Sequence, residues 1–220
     1  MSAGAANQGP SANRPNAFRA VPNRLRGRPV NLNLPARPIP RDSSMFHPHY
    51  VTLSNGQSVL LRYVEPNDAE ALLAHVNEVG AERVHIMTER VLQSPEEEAE
   101  QLRRLDREKV LFLVGATHGA IVASADVHRG TQVKSAHTGN LGIAIRKEFR
   151  GVGLGTAIME DIVRWSRSVG IRKLTLGVFA TNAPAIALYR RFGFEEEARL
   201  KNQVLLDGKL VDEILMARWL

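Results

Sequence analysis

The chain of 220 residues contains no cysteine. This absence excludes disulfides, thiolate metal ligands and a cysteine nucleophile. No apolar run reaches the roughly 18 residues that a membrane-spanning helix needs, and the N-terminus lacks the apolar core of a secretion signal. We therefore expect a soluble protein with no membrane association, and a cytoplasmic location is compatible with this composition.

Two classes of enzyme site also lack their sequence signatures. The seven histidines show no H-x-x-x-H or comparable ligand spacing, so we expect no metal. No G-x-S-x-G elbow occurs in the chain. Serine hydrolase chemistry therefore has no support in the sequence.

The excess positive charge of the chain is confined to its first 44 residues. Residues 1–44 contain seven arginines, one acidic residue and seven of the 11 prolines, whereas basic and acidic residues balance in 45–220. A segment with so few large apolar residues cannot bury enough surface to offset its ordering entropy. We expect a disordered tail at 1–44 and one domain at 45–220. A weak RNA-binding or acidic-surface-binding arm is the alternative for the tail.

Strand and helix patterns alternate along the domain. Apolar runs and turn residues predict strands at 51–53, 59–63, 110–115, 120–128, 138–145, 172–178, 194–206 and 209–219. Helices are predicted after Asn67, which forms a capping-box pattern with Glu70, after the N-cap Ser94, and at 154–168 and 182–192. This order predicts an α/β fold with a mixed sheet and helices on both of its faces.

A glycine-rich segment stands between a predicted strand and a predicted helix. Its sequence from Arg146 to Thr156 is RKEFRGVGLGT. The unpaired amides and the dipole at the start of a helix favour an anion at such a turn. Glycines 151, 153 and 155 lack the Cβ atoms that would keep a phosphate away from the backbone, and Arg150 adds a charged donor. The segment therefore predicts a phosphate site.

Two common phosphate motifs do not fit this segment. A P-loop requires a lysine that is absent, and a dinucleotide fold requires a third glycine where Thr156 stands. The remaining pattern, Arg-x-x-Gly-x-Gly from Arg150 to Gly155, resembles the pyrophosphate-binding signature of the GCN5-related N-acetyltransferase (GNAT) family, which holds acetyl-CoA. The alternative is a glycine-rich turn that only joins a strand to a helix.

A second segment strengthens this resemblance. Residues 182–194 are similar to the Asn-x-x-Ala-x-x-Leu-Tyr-x-x-x-Gly-Phe segment of the same family. The two segments cover residues 137–195, and the order of elements extends the similarity over 51–219. The resemblance implies a GNAT-type mixed, mostly antiparallel sheet with helices on both faces.

The resemblance implies transfer of an acetyl group from acetyl-CoA to a primary amine, by direct attack of the amine on the thioester. Strand residues 143–145 would polarise the thioester carbonyl, and Tyr189 would protonate the departing thiolate. The residues implied to bind the cofactor are Ile143, Ala144, Ile145, Arg150, Gly151, Val152, Gly153, Leu154, Gly155, Thr156, Asn182 and Tyr189.

The base that deprotonates the amine is less well defined by the sequence. Glu89 is the leading candidate, and Asp126, His128 and His137 are alternatives near strand ends. The acceptor stays open among protein N-termini, polyamines, amino acids and aminoglycosides, and the last strands could pair in a homodimer. A different reading is a non-catalytic acetyl-CoA sensor or scaffold whose basic tail engages RNA or an acidic partner.

Overall fold

The computed structural model describes residues 46–220, so the expectations for the tail lie outside the described residues. Its strands are β1 (His49–Thr52), β2 (Ser58–Tyr63), β3 (Val110–Thr117), β4 (Ala120–Arg129), β5 (Thr138–Ile145), β6 (Lys173–Phe179), β7 (Glu195–Leu206) and β8 (Lys209–Trp219). Its helices are α1 (Ala69–Ala81), α2 (Pro95–Arg103), α3 (Leu154–Ser168) and α4 (Ala183–Arg191).

One mixed sheet organises these elements. The strand order is β1-β2-β3-β4-β5-β6-β8-β7. All neighbours are antiparallel except β5 and β6, which run parallel. The predicted mixed, mostly antiparallel α/β sheet is therefore confirmed.

Helices cover both faces of the sheet, as expected. Leu113 of β3 lies in one buried cluster with Ile162 of α3, whereas the next residue, Val114, lies in another with Leu72 of α1 and Leu102 of α2. Successive strand residues point to opposite faces. Helices α1 and α2 therefore pack on one face and α3 on the other.

Of the two helix caps predicted from the sequence, the one at Ser94 is present and the one at Asn67 is not. At α2, the Ser94 hydroxyl accepts from the Glu97 amide at 3.2 Å and the Glu97 carboxylate accepts from the Ser94 amide at 3.0 Å, which confirms the N-cap. The capping box expected at Asn67 is wrong. A short 3-10 turn precedes α1, and the carboxylate of Asp68 accepts from the Glu65 amide at 2.7 Å.

Candidate functional site

The parallel strands β5 and β6 separate soon after they begin. Their ladder contains three pairs, the last of which joins Asn140 to Thr175. On its other side β5 stays paired with β4 as far as Ile145, and β6 stays paired with β8 as far as Phe179. Two strands that are held apart in this way leave a wedge-shaped opening and an unpaired edge on β5 beyond residue 140.

A loop of free amides follows β5. Gly151 and Gly153 have φ values of 72° and 100°, and α3 begins at Leu154. The amides of Thr156 and Ala157 both donate to the Gly153 carbonyl, at 3.0 and 3.2 Å. Within residues 46–220, the five preceding amides, 151–155, donate no hydrogen bond. Five successive free N–H groups before a helix favour an anionic ligand.

The three loop glycines meet different structural requirements. A Cβ atom added at Gly151 or Gly153 would have no neighbour within 4 Å, so these positions need glycine for their positive φ. A Cβ atom at Gly155 would lie 3.1 Å from Cδ2 of Leu188. Gly155 therefore allows α3 to approach α4 closely.

Arg150 is engaged by the protein itself. Its two terminal nitrogens donate to the Glu82 carboxylate at 2.7 and 2.6 Å, and its Nε donates to the Ile145 carbonyl at 2.6 Å. This contact lowers the pKa of Glu82, chiefly through the hydrogen bond. In this arrangement Arg150 ties the loop to the end of α1 and to β5, and direct contact with a phosphate stays a prediction.

Helix α4 brings Asn182 and Tyr189 to the site. The side chain of Asn182 accepts from the Ala185 amide at 3.3 Å and caps the helix. Tyr189 is 7% exposed, and its ring centroid lies 5.9 Å from that of Phe194. Burial, followed by the nearby charge of Asp126, raises the pKa of Tyr189. The phenol is therefore protonated throughout the physiological pH range.

Asp126 and His128 form a pair on β4. Oδ2 of Asp126 lies 3.1 Å from Nε2 of His128, and the two side chains are 14% and 50% exposed, respectively. Burial raises the pKa of Asp126, and the hydrogen bond to Asp126 raises the pKa of His128. The charge of Asp126 in turn contributes, after burial, to the raised pKa of Tyr189.

The other two candidate bases lie elsewhere. Glu89 belongs to the segment between α1 and α2, where its carboxylate lies 3.2 Å from Arg83 and its side chain is 57% exposed. His137 precedes β5 and stacks on Trp219, with ring centroids 6.5 Å apart. The catalytic role of Glu89 stays a prediction.

The sequence analysis missed a buried histidine near the site. His75 of α1 is fully buried, and its Nε2 lies 3.2 Å from the Ser124 hydroxyl. Burial lowers the pKa of His75 to about 4, so the ring is neutral at pH 7. An apolar helix face with one histidine gives no sign in the sequence that the ring points inward.

Metal clusters and membrane-spanning helices are absent from the described part of the chain. Among residues 46–220, no three histidine, aspartate or glutamate side chains gather where they could hold a metal ion. The helices of the same region are too short or too polar to cross a membrane.

Known proteins match this chain over most of its described length. The sequence model of the Acetyltransferase (GNAT) family matches residues 71–194. The L-amino acid N-acetyltransferase AaaT of Escherichia coli K12 is 27% identical over 164 residues, which cover 73% of this chain and 97% of that protein.

Solved structures agree with the sequence match. A GNAT-family acetyltransferase from Streptococcus pneumoniae has a TM-score of 0.69 and 28% identity, covering 74% of this chain and 99% of its own. A phosphinothricin acetyltransferase from Sinorhizobium meliloti, solved with acetyl-CoA, shares the fold with a TM-score of 0.66 and 22% identity, covering 74% of this chain and 88% of its own. The chain therefore belongs to the GNAT family, and it is an N-acetyltransferase.

Proposed function

We propose that this enzyme transfers an acetyl group from acetyl-CoA to a primary amine by direct attack of the amine on the thioester. The observation that carries the proposal is the run of free amides at 151–155 beside the opening between β5 and β6. The structural neighbour from Sinorhizobium meliloti, which was solved with acetyl-CoA, supports the same coenzyme.

The loop and the edge of β5 would bind different parts of the coenzyme. Amides 151–155, together with Thr156, would hold the diphosphate, because a helix start with free N–H groups favours phosphate oxygens. The unpaired edge of β5 at Ile143, Ala144 and Ile145 would bind the extended arm as an added strand does. Acetyl-CoA supplies the acetyl group in activated form, as a thioester.

Tyr189 would act on the leaving group. Its raised pKa keeps the phenol protonated, so the O–H is available as a donor when negative charge develops on the sulfur. The nearby carboxylate of Asp126 disfavours the tyrosinate, so a phenol that has given up its proton is rapidly protonated again. Asn182 would bind the coenzyme arm from the cap of the same helix.

The acceptor amine has to reach the thioester from the remaining side of the opening. The relative AaaT is named as an L-amino acid N-acetyltransferase, which makes amino acids the first acceptor class to test. Polyamines, aminoglycosides and protein N-termini are the other primary amines that this chemistry admits.

Thiol release from acetyl-CoA tests the proposal. The purified chain is incubated with acetyl-CoA and, separately, with the common L-amino acids, spermidine, kanamycin and a peptide with a free N-terminus. We expect amine-dependent release of CoA together with an acetylated product in the mass spectrum. Tight binding of acetyl-CoA without turnover on any amine would contradict the enzymatic proposal and favour the sensor.

A further inference from the structure

A glycine lies on each strand where β5 and β6 separate. The last ladder pair joins Asn140 to Thr175, and Gly142 of β5 and Gly177 of β6 each lie two residues beyond it. Neither residue has a side chain that could fill the space. At these two positions, where the strands separate, neither strand contributes a side chain to the surface of the sheet.

An acidic residue lies on each side of these glycines, on the same face of the sheet. Asp126 pairs with Gly142 in the β4–β5 ladder. Gly177 pairs with Leu215 in the β6–β8 ladder, so Glu213, two residues earlier on β8, shares that face. The two carboxyl groups therefore flank the opening, Asp126 on one side and Glu213 on the other.

The face is the one that carries α1. Ser124, two residues before Asp126 on β4, contacts His75 of α1. Helix α4, which carries Tyr189, lies near the end of β5, because a Cβ atom added at Gly155 would lie 3.1 Å from Leu188 of α4 and 3.4 Å from Ile145 of β5.

The carboxylate of Glu213 lies directly over Gly177. A Cβ atom added at Gly177 would overlap with Oε1 of Glu213 and would lie 3.2 Å from its Cδ. The carboxylate therefore occupies the space that a β6 side chain would otherwise take. Glu213, although it belongs to β8, therefore places its carboxyl group over β6, beside the opening.

Among residues 46–220, the neighbours of Glu213 supply no positive charge to compensate its carboxylate. Its neighbours across the two ladders are Phe179 and Leu200, which are apolar. Within the described residues no cation pairs with Glu213, and burial raises its pKa. The preceding residue, Asp212, lies 2.8 Å from Lys201 and 3.6 Å from Arg199. A half-buried acid without a cation among the described residues, next to a cleft, is a candidate for a functional role.

We propose that Glu213 is the base that takes the proton from the ammonium group of the acceptor. This inference rests on the proposed function. An N–H bond of the ammonium breaks, the proton passes to the Glu213 carboxylate, and the freed lone pair bonds to the carbonyl carbon of the thioester. The C–S bond then breaks and the sulfur takes the proton of Tyr189. The second proton that the nitrogen loses restores the Tyr189 hydroxyl, and Glu213 returns its proton to water.

Glu213→Gln tests this assignment, with Asp212→Asn as the matched control on the opposite face of the same strand. Thiol release is measured between pH 5 and pH 9 on the amines that the wild-type enzyme acetylates, and acetyl-CoA affinity is measured by calorimetry. We expect Glu213→Gln to lower kcat/KM for the amine by about 10²-fold. Acetyl-CoA affinity should stay within about twofold of the wild type, and Asp212→Asn should resemble the wild type in both measurements.

The pH profile separates a base from a residue that only shapes the site. Since Glu213 has to be ionised to accept a proton, wild-type kcat/KM should fall on acidification through a pKa above the ordinary glutamate value. That acidic limb should be absent in Glu213→Gln, and Glu213→Asp should recover part of the rate. Wild-type turnover in Glu213→Gln would overturn the inference and leave the proposed function intact. Absence of any wild-type turnover would overturn both.

Discussion

At the scale of single residues, burial rather than direct ion pairing sets the chemistry of this site. Tyr189, Asp126 and Glu213 each have a raised pKa with burial as the largest cause. For the phenol this means a permanent donor, and for the carboxyl groups it means a stronger base than an exposed acid. The residues that touch cations, such as Glu82 with Arg150, hold elements together instead.

Tyr189→Phe removes the hydroxyl and leaves the ring in its contact with Phe194. We expect kcat to fall by about 10²-fold, because the developing thiolate loses its donor, while acetyl-CoA affinity changes little. Steady-state kinetics and calorimetry measure the two quantities. Equal kcat values in the variant and the wild type would remove the acid role of Tyr189.

His75 makes the folded state sensitive to acid. Burial lowers its pKa to about 4, from the ordinary histidine value of 6.5. Between these two values the unfolded chain binds a proton that the native ring does not, so the free energy of unfolding decreases as the pH falls from 6.5 towards 4. For His75 alone, the free energy of unfolding decreases by about 3 kcal/mol over this pH range.

His75→Gln retains a hydrogen-bonding group near Ser124 and removes the titration. We expect its urea unfolding free energy to decrease less between pH 7 and pH 4.5 than that of the wild type. A pH dependence equal to that of the wild type would show that His75 does not titrate as its burial implies.

At the scale of elements, the segment from β5 to α3 concentrates the functional geometry. Within residues 46–220 the strand leaves an open edge, the loop leaves five amides without acceptors, and the contact between Gly155 and Leu188 brings α4 onto α3. The β1–β2 turn supports the loop, because the Ser54 amide donates to the Val152 carbonyl at 3.1 Å. Main-chain groups held at this many points need little reorganisation to bind an anion.

Gly153→Val should abolish measurable acetyl-CoA binding in calorimetry. A β-branched residue is strained at a φ of 100°. Relief of that strain would move the neighbouring amides out of the positions in which they would bind phosphate. Gly170→Val is the matched control, because Gly170 also has a positive φ, 78°, and open space around it, but lies beyond the far end of α3.

The control separates loss of the site from loss of stability. We expect Gly170→Val to be destabilised to a similar degree in urea unfolding and still to bind acetyl-CoA. Unchanged coenzyme affinity in Gly153→Val, or equal losses of affinity in both variants, would contradict the assignment of the loop.

At the scale of the whole molecule, local patterns predicted the order of elements and a large part of the described fold. The strand and helix patterns from β1 to β8 are strong because apolar spacing and turns such as Asp207-Gly208 are properties of neighbouring residues. The start of α1 was misassigned because the carboxylate of Asp68 competes with Asn67, and its pairing with Arg62 is a contact between separate elements.

Less of the candidate site could be predicted from the sequence, because several of its contacts join residues that are distant along the chain. The residues predicted to bind the coenzyme lie in two segments that carry motifs, whereas the position of Glu213 depends on a ladder between β6 and β8 and on the missing side chain of Gly177. Neither feature is visible from spacing along the chain. The engagement of Arg150 by Glu82, which lies 68 residues earlier, is hidden in the same way.

The proposed function depends on the amides of residues 151–155 holding the diphosphate of acetyl-CoA. An NMR titration that follows every backbone amide of the chain measures this contact. We expect addition of acetyl-CoA to shift the amides of Gly151, Gly153 and Gly155 downfield, as new hydrogen bonds to phosphate form. Saturable binding that leaves these three amides unmoved while another cluster shifts would contradict it.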